Sequence, residues 1–201
     1  METYDNDNLK HDINIEYHPL TPFVFPDTEI LFLGSFPPPV KKWSINFFYP
    51  NFINDHWRIQ GLVFHDDKDF FVDVKNKKFR LELIVDHCKQ HYIGFFDTAT
   101  AVRRLKDNAS DKFLEIVKPT AIRNLIQMAP SLRAIAATGT KATQTICQQL
   151  DIKKIPAVGQ SMTIPTLSHI LLFRLPSSSR AYPLQLEQKA LAYRPFLLKQ
   201  F

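Results

Sequence analysis

Glu29-Ile-Leu-Phe-Leu-Gly-Ser-Phe-Pro-Pro38, followed by Phe48-Tyr-Pro-Asn-Phe-Ile-Asn-Asp-His-Trp57, decides how this chain is read. The first stretch is an apolar run that stops at a Gly-Ser turn and enters a prolyl loop. The second brings aromatics and an Asn to the start of a helix. Open α/β sheets place their chemistry in loops of this kind, beyond the carboxyl ends of the strands. Aromatic faces with a nearby amide suit a pocket that grips a flat polar ring.

Three further apolar runs, at 92–96, 132–137 and 169–175, also end in small or turn-forming residues: Asp97-Thr98, Thr138-Gly139 and Pro176-Ser177. Short apolar runs without clean alternation predict strands buried on both faces, hence a parallel sheet between helix layers. Helical patterns lie between them. Asn54 or Asp55 is positioned to cap a helix carrying Trp57, Ile59 and Leu62. Further helices are expected over 78–90, over 111–117 behind a Ser110 cap, after Pro119 in a first-turn position, over 141–150 behind Thr138 or Thr140, and over 184–198, ending near Pro195. The expected fold is α/β, a three-layer α/β/α sandwich with a central four-stranded parallel sheet. Its four strand-end turns would gather on one edge.

At 201 residues the chain is expected to form a single domain over 13–201, behind a polar, mobile segment over 1–12. Its hydrophobic fraction of 45% is that of a globular protein. No apolar run is long enough to span a bilayer, and the acidic, polar start is not that of a signal peptide. Cys88 and Cys147, the only two cysteines, form no CxxC and fit a reducing compartment, so a cytoplasmic location is expected. The net charge of +5 permits a polyanionic partner without demonstrating one. GxGxxG, GxxxxGK[ST], HExxH and GxSxG are all absent. His87 and His91 stand four apart on a predicted helix, a metal-like spacing, but without a third ligand nearby two exposed or half-buried histidines are the expected reading. No cofactor and no metal are expected.

Leu31-Phe-Leu-Gly-Ser-Phe-Pro-Pro38, the segment through Asn54 to Trp57-Arg58, and Leu175-Pro-Ser-Ser-Ser-Arg180 together resemble the motifs of the uracil-DNA glycosylase superfamily. The likeness is closest to its hypoxanthine-DNA glycosylase and mismatch-specific uracil/thymine glycosylase branches, and runs from about Pro22 to Arg194. Ile93-Gly-Phe-Phe-Asp97 resembles the family's second strand. The resemblance implies a monofunctional DNA glycosylase of base-excision repair. Such an enzyme flips a nucleotide out of DNA and hydrolyses the N-glycosidic bond of a deaminated or mismatched base, such as uracil or hypoxanthine. A monomer is expected, since lesion search needs an open DNA face.

The resemblance also suggests roles. Asn54 would place water or read a base edge, although it serves equally well as a helix N-cap. Asp55 would activate water or act as the cap. Gly34, Ser35 and Phe36 would wall the base pocket and offer backbone N–H groups, with an ordinary turn as the alternative. Tyr49 would stack on the flipped base. Asp97 would shape the pocket, orient water or cap, and Asn108 would read a base edge. Ser177, Ser178, Ser179 and Arg180, with Lys41 and Lys42, would meet DNA phosphates, unless they are simply a solvated loop and solvated lysines. The first motif lacks the Asp or Asn that many relatives use for water, which moves that burden to Asn54. Arg180-Ala-Tyr182 stands where hypoxanthine-type relatives have Pro-Ala-Asn, so substrate preference stays open. A non-catalytic nucleic-acid-binding module and a hydrolase of free nucleosides remain as rival readings.

Overall fold

The computed structural model describes residues 15–105 and 113–201. The segment expected to be mobile and Asn108 lie outside the described residues. In chain order the elements are β1 (Ile15–Tyr17), β2 (Ile30–Gly34), α1 (His56–His65), β3 (Val72–Asp73), β4 (Lys78–Phe79), α2 (Leu81–Gln90), β5 (Ile93–Asp97), β6 (Ala99–Arg104), β7 (Leu114–Pro119), α3 (Ile122–Met128), β8 (Ala134–Thr138), α4 (Thr140–Gln149), β9 (Ser161–Ile164), β10 (Leu167–Leu175) and α5 (Leu186–Leu197).

The central sheet runs β5-β2-β8-β10-β9. The four strands expected from the apolar runs are present and mutually parallel. The sheet nevertheless has five strands, not four, because β9 adds an antiparallel edge against β10. Ser161-Met-Thr-Ile is polar on one face and exposed along most of its length, so it shows no continuous apolar run. β2 lies inside the sheet between β5 and β8, and Ile30, Leu31, Phe32 and Leu33 are fully buried on both of its faces. Phe32 and Phe95 are in register and stack at 5.3 Å. Phe32 also meets His56 of α1 and Tyr193 and Phe196 of α5, so α1 and α5 share that face. The chain leaves β2 toward β5 and then crosses back over β2 to β8. Right-handed crossovers therefore put helices on both faces and leave a crevice beyond the end of β2.

A second, antiparallel sheet, β1-β6-β7, packs its own small cluster of Ala99, Val102 and Leu114 under Phe36. This corrects the helix expected over 111–117: among its described residues, Leu114 onward is strand. Leu114 is buried and Ile116 half-buried while Glu115 and Val117 are exposed, the two-residue period of a strand with one covered face. Pro119 closes β7 instead of opening α3, whose cap is Ala121. α4 starts behind Gly139, not behind a threonine, and that glycine holds φ at 97°. α5 runs just past Pro195 and opens on a Gln185/Gln188 capping box.

Candidate active site

A cavity of about 310 Å³ lies beyond the carboxyl ends of β5, β2, β8 and β10. It is lined by Gly34, Ser35, Phe36, Tyr49, Asn54, Asp97, Ser177, Ser178, Ser179 and Arg180, residues remote in sequence that the parallel strands bring to one edge. Lys42 stands on the exposed rim. Lys41, also exposed, does not line the cavity, and neither does Asp55.

Asp97 is the only carboxylate among the lining residues and is 8% exposed. His18, 3% exposed in its side chain, donates from Nε2 to Asp97 Oδ2 at 2.9 Å. His18 is itself wedged between Phe36 and Phe96 and anchored at Nδ1 by the Leu20 backbone. Asp97 Oδ1 makes no hydrogen bond among the described residues. It lies over Gly34, where a Cβ would come within 2.4 Å of it. The Gly34 of the opening motif is thus required by the approach of a carboxylate from the neighbouring strand. Sequence reasoning missed His18, which falls outside every motif and carries no local signal.

Asn54 has divided duties. Its Oδ1 accepts the His56 N–H at 2.9 Å, an Asx turn leading into α1, whose N-cap residue is Asp55 and carries no side-chain capping bond. Its Nδ2 makes no hydrogen bond with a described residue, and Asn54 lines the cavity. The amide therefore offers its donor end. The adjacent Asp55 points the other way. Oδ2 accepts from Lys189 Nζ at 2.9 Å and Oδ1 from Arg180 Nε at 3.2 Å. This carboxylate faces a different cavity, of about 590 Å³.

Tyr49 has φ of 50°, a left-handed backbone that costs a non-glycine residue roughly 1–3 kcal/mol and recurs at functional sites. Its ring lies flat on His56, with centroids 3.7 Å apart and planes 3° apart, and its hydroxyl meets Thr138 Oγ1 at 2.8 Å. One face of Tyr49 is thereby taken by His56. His56 is fully buried, and burial, reinforced by His87, holds its pKa well below the ordinary histidine value. Gln60 Nε2 donates to His56 Nε2 at 2.7 Å and Gln60 Oε1 accepts from His87 Nε2 at 2.9 Å. The neutral His56 ring therefore carries its proton on Nδ1, a buried donor without a partner among the described residues. His87 is tied into this chain. Its ring lies 4.6 Å from that of His91, and no group of three metal-ligating side chains occurs among the described residues. Trp57 belongs to the core behind the site, donating from Nε1 to Phe48 O.

The serine loop is held at three points. Tyr193 Oη donates to Pro176 O, the Asp55 N–H to Ser178 O, and Lys189 Nζ to Ser179 O. With its carbonyls turned toward α1 and α5, the loop borders the cavity while its backbone is fixed from behind.

The fold has a solved counterpart. A solution structure from Methanosarcina acetivorans, described as "a putative Uracil DNA glycosylase", superposes with a TM-score of 0.60 over 92% of this chain and 99% of that one, at 22% sequence identity. At that identity the likeness is one of fold. No family model and no curated protein matches the chain. Among the described residues no helix is long and apolar enough to cross a membrane.

Proposed function

We propose that this chain is a monofunctional DNA glycosylase that hydrolyses the N-glycosidic bond of a flipped, deaminated or mismatched base. The observation that carries this reading is the pairing, in one strand-end cavity, of the one carboxylate of its lining, which keeps an open oxygen (Asp97), with an amide whose N–H₂ group makes no hydrogen bond to a described residue (Asn54). The fold shared with the Methanosarcina structure supports it. At about 310 Å³ the cavity is at the small end of ligand pockets, as suits one nucleoside unit rather than a polymer.

In the proposed reaction water attacks C1′, the C1′–N bond breaks, and its electron pair leaves with the base. Asp97 takes the water's proton and its charge supports the cationic sugar. A carboxylate set against the departing base would oppose the negative charge developing there, so Asp97 belongs on the sugar and water side. Asn54 Nδ2 donates to a carbonyl oxygen of the departing base, where that charge accumulates. Ser35 and Phe36 wall the base, and Tyr49, which also lines the cavity, supplies the aromatic ring beside it. Ser177, Ser178, Ser179, Arg180 and Lys42 hold the DNA backbone. Asp55 acts through structure, orienting the loop and the start of α1. Lys42, the only lysine on the lining, is solvent-exposed, so water and not an amine is the nucleophile.

End-labelled duplexes carrying uracil, hypoxanthine or a G·T mismatch, incubated with the protein and then treated with alkali, test this. Cleavage at one or more of these sites is expected, and none above background would sink the proposal. Asp97→Asn and Asn54→Ala should each slow single-turnover excision by about 10²–10³-fold with duplex binding largely kept.

A further inference from the structure

Behind the wall formed by Asp55 and Arg180 lies the larger cavity, of about 590 Å³, outside the proposed base pocket. Five cationic side chains, Arg58, Lys68, Lys77, Arg180 and Lys189, border it against two carboxylates, Asp55 and Asp69, a net of +3. The cations are not equivalent. Lys189 is buried and satisfied by Asp55 and by Ser179 O. Arg58 is 7% exposed and clamped over the rings of Phe52 and Phe79. Among the described residues it donates only to the carbonyls of Phe52 and Asn54 and has no carboxylate in ion-pair contact. Burial and the charge of Arg180 together pull its pKa below the ordinary arginine value, against the opposing charges of Asp55 and Asp69. Lys68 and Lys77 stand exposed on the opposite rim, Lys77 in the β3–β4 hairpin. Arg180 borders both cavities, so a chain leaving one passes it to enter the other.

We propose that this groove is a phosphodiester track that holds the backbone of the DNA strand beyond the flipped nucleotide, with Lys68 and Lys77 as its outer phosphate contacts and Arg180 as the hinge between track and pocket. It rests on the glycosylase reading for its partner but makes a separate prediction, about binding alone. Each phosphate neutralised by a lysine releases condensed counterions and steepens the salt dependence of affinity by roughly 0.9 in log–log slope.

The test measures binding of the full chain to a fluorescent duplex carrying an abasic site, which requires no excision, between low and moderate salt. Lys68→Gln/Lys77→Gln, both at exposed positions, should lower the slope by about 1.8 and weaken affinity alike for unrelated duplex sequences. A double variant with the slope and affinity of the parent overturns the track. So does a parent whose groove takes inorganic phosphate, in a manner lost in the double variant, while its DNA slope is unaffected; the groove then serves a small anion. A parent that binds steeply and loses slope in the variant, yet releases no base from any duplex, supports the track and overturns the catalytic reading alone. A parent that excises while the variant keeps its slope does the reverse.

Discussion

Replacing Lys189 with Met keeps the length and apolar stem of the side chain and deletes its charge. Its Nζ is 1% exposed at the side-chain level and bonds Asp55 Oδ2 at 2.9 Å and Ser179 O at 2.8 Å. The variant leaves a carboxylate of 9% exposure with Arg180 as its remaining ion-pair partner, a side chain 53% exposed. A pair that open to solvent recovers at most about 1 kcal/mol. Removing one member of a buried pair costs about 3–5 kcal/mol, so the net expected loss is about 3 kcal/mol. For a chain of this size each kcal/mol moves the melting temperature by roughly 2–4 °C, giving a fall of about 6–12 °C. Urea and thermal unfolding followed by circular dichroism measure it. The companion variant Asp55→Asn strands the lysine instead and should cost a similar amount. The combined Asp55→Asn/Lys189→Met should cost well below the sum, with a coupling of roughly 2 kcal/mol or more. A Lys189→Met loss under 1 kcal/mol, or strict additivity in the cycle, would refute the claim that this pair fastens the serine loop to α1 and α5.

Three further outcomes are expected. Gly34→Ala puts a methyl where Asp97 Oδ1 now lies, at 2.4 Å, so it should displace that carboxylate and cut excision by an order of magnitude or more with little change in duplex affinity; an active Gly34→Ala enzyme would show that Asp97 need not sit there. His18→Gln, whose amide can still reach Asp97, should retain more activity than His18→Ala, and equal rates for the two would remove His18 as a positioning group. Burial, with smaller contributions from His91 and His65, lowers His87 to about 3, so the folded chain keeps it neutral while the unfolded chain protonates it below about 6.5. Its contribution is therefore complete above pH 6.5 and lost as pH falls toward 3, at up to roughly 1.4 kcal/mol per pH unit. His56 titrates in the same direction. Urea titrations from pH 7 to 4 should show a shallower acid slope for His87→Gln, by about one proton; parallel slopes would count against a buried neutral His87.

What was legible in the sequence follows from burial. β2, β5 and β8 are covered on both faces, and β10 is largely covered from Ile170 onward, so apolar residues run together there and stand out. β6, β7 and β9 are covered on one face or lie at an edge, so alternation is all they show. The stretch Ala99-Thr-Ala-Val-Arg-Arg104 shows no continuous apolar run for that reason, and Ser110 before 111–117 looks like a cap. In the site, Gly34, Asn54, Asp97 and the serines could be placed because strand ends in a parallel sheet must converge. The opposite facing of Asn54 and Asp55 could not be read, since it depends on Lys189 of α5. The flat contact of Tyr49 with His56 was equally hidden, because it requires a left-handed backbone in a residue that rarely adopts one.

His18 reaches Asp97 across 79 residues of chain, from the segment that β1 ties to β6. The central sheet has no need of that segment for its own hydrogen bonds. Excising residues 15–20 should therefore leave a protein that still refolds around β2 but whose carboxylate is unsteadied. Competence would then be gained late in folding, only once an early-synthesised strap has docked onto a strand made much later. On the glycosylase reading proposed above, chains released before that closure would hold DNA without cutting the glycosidic bond.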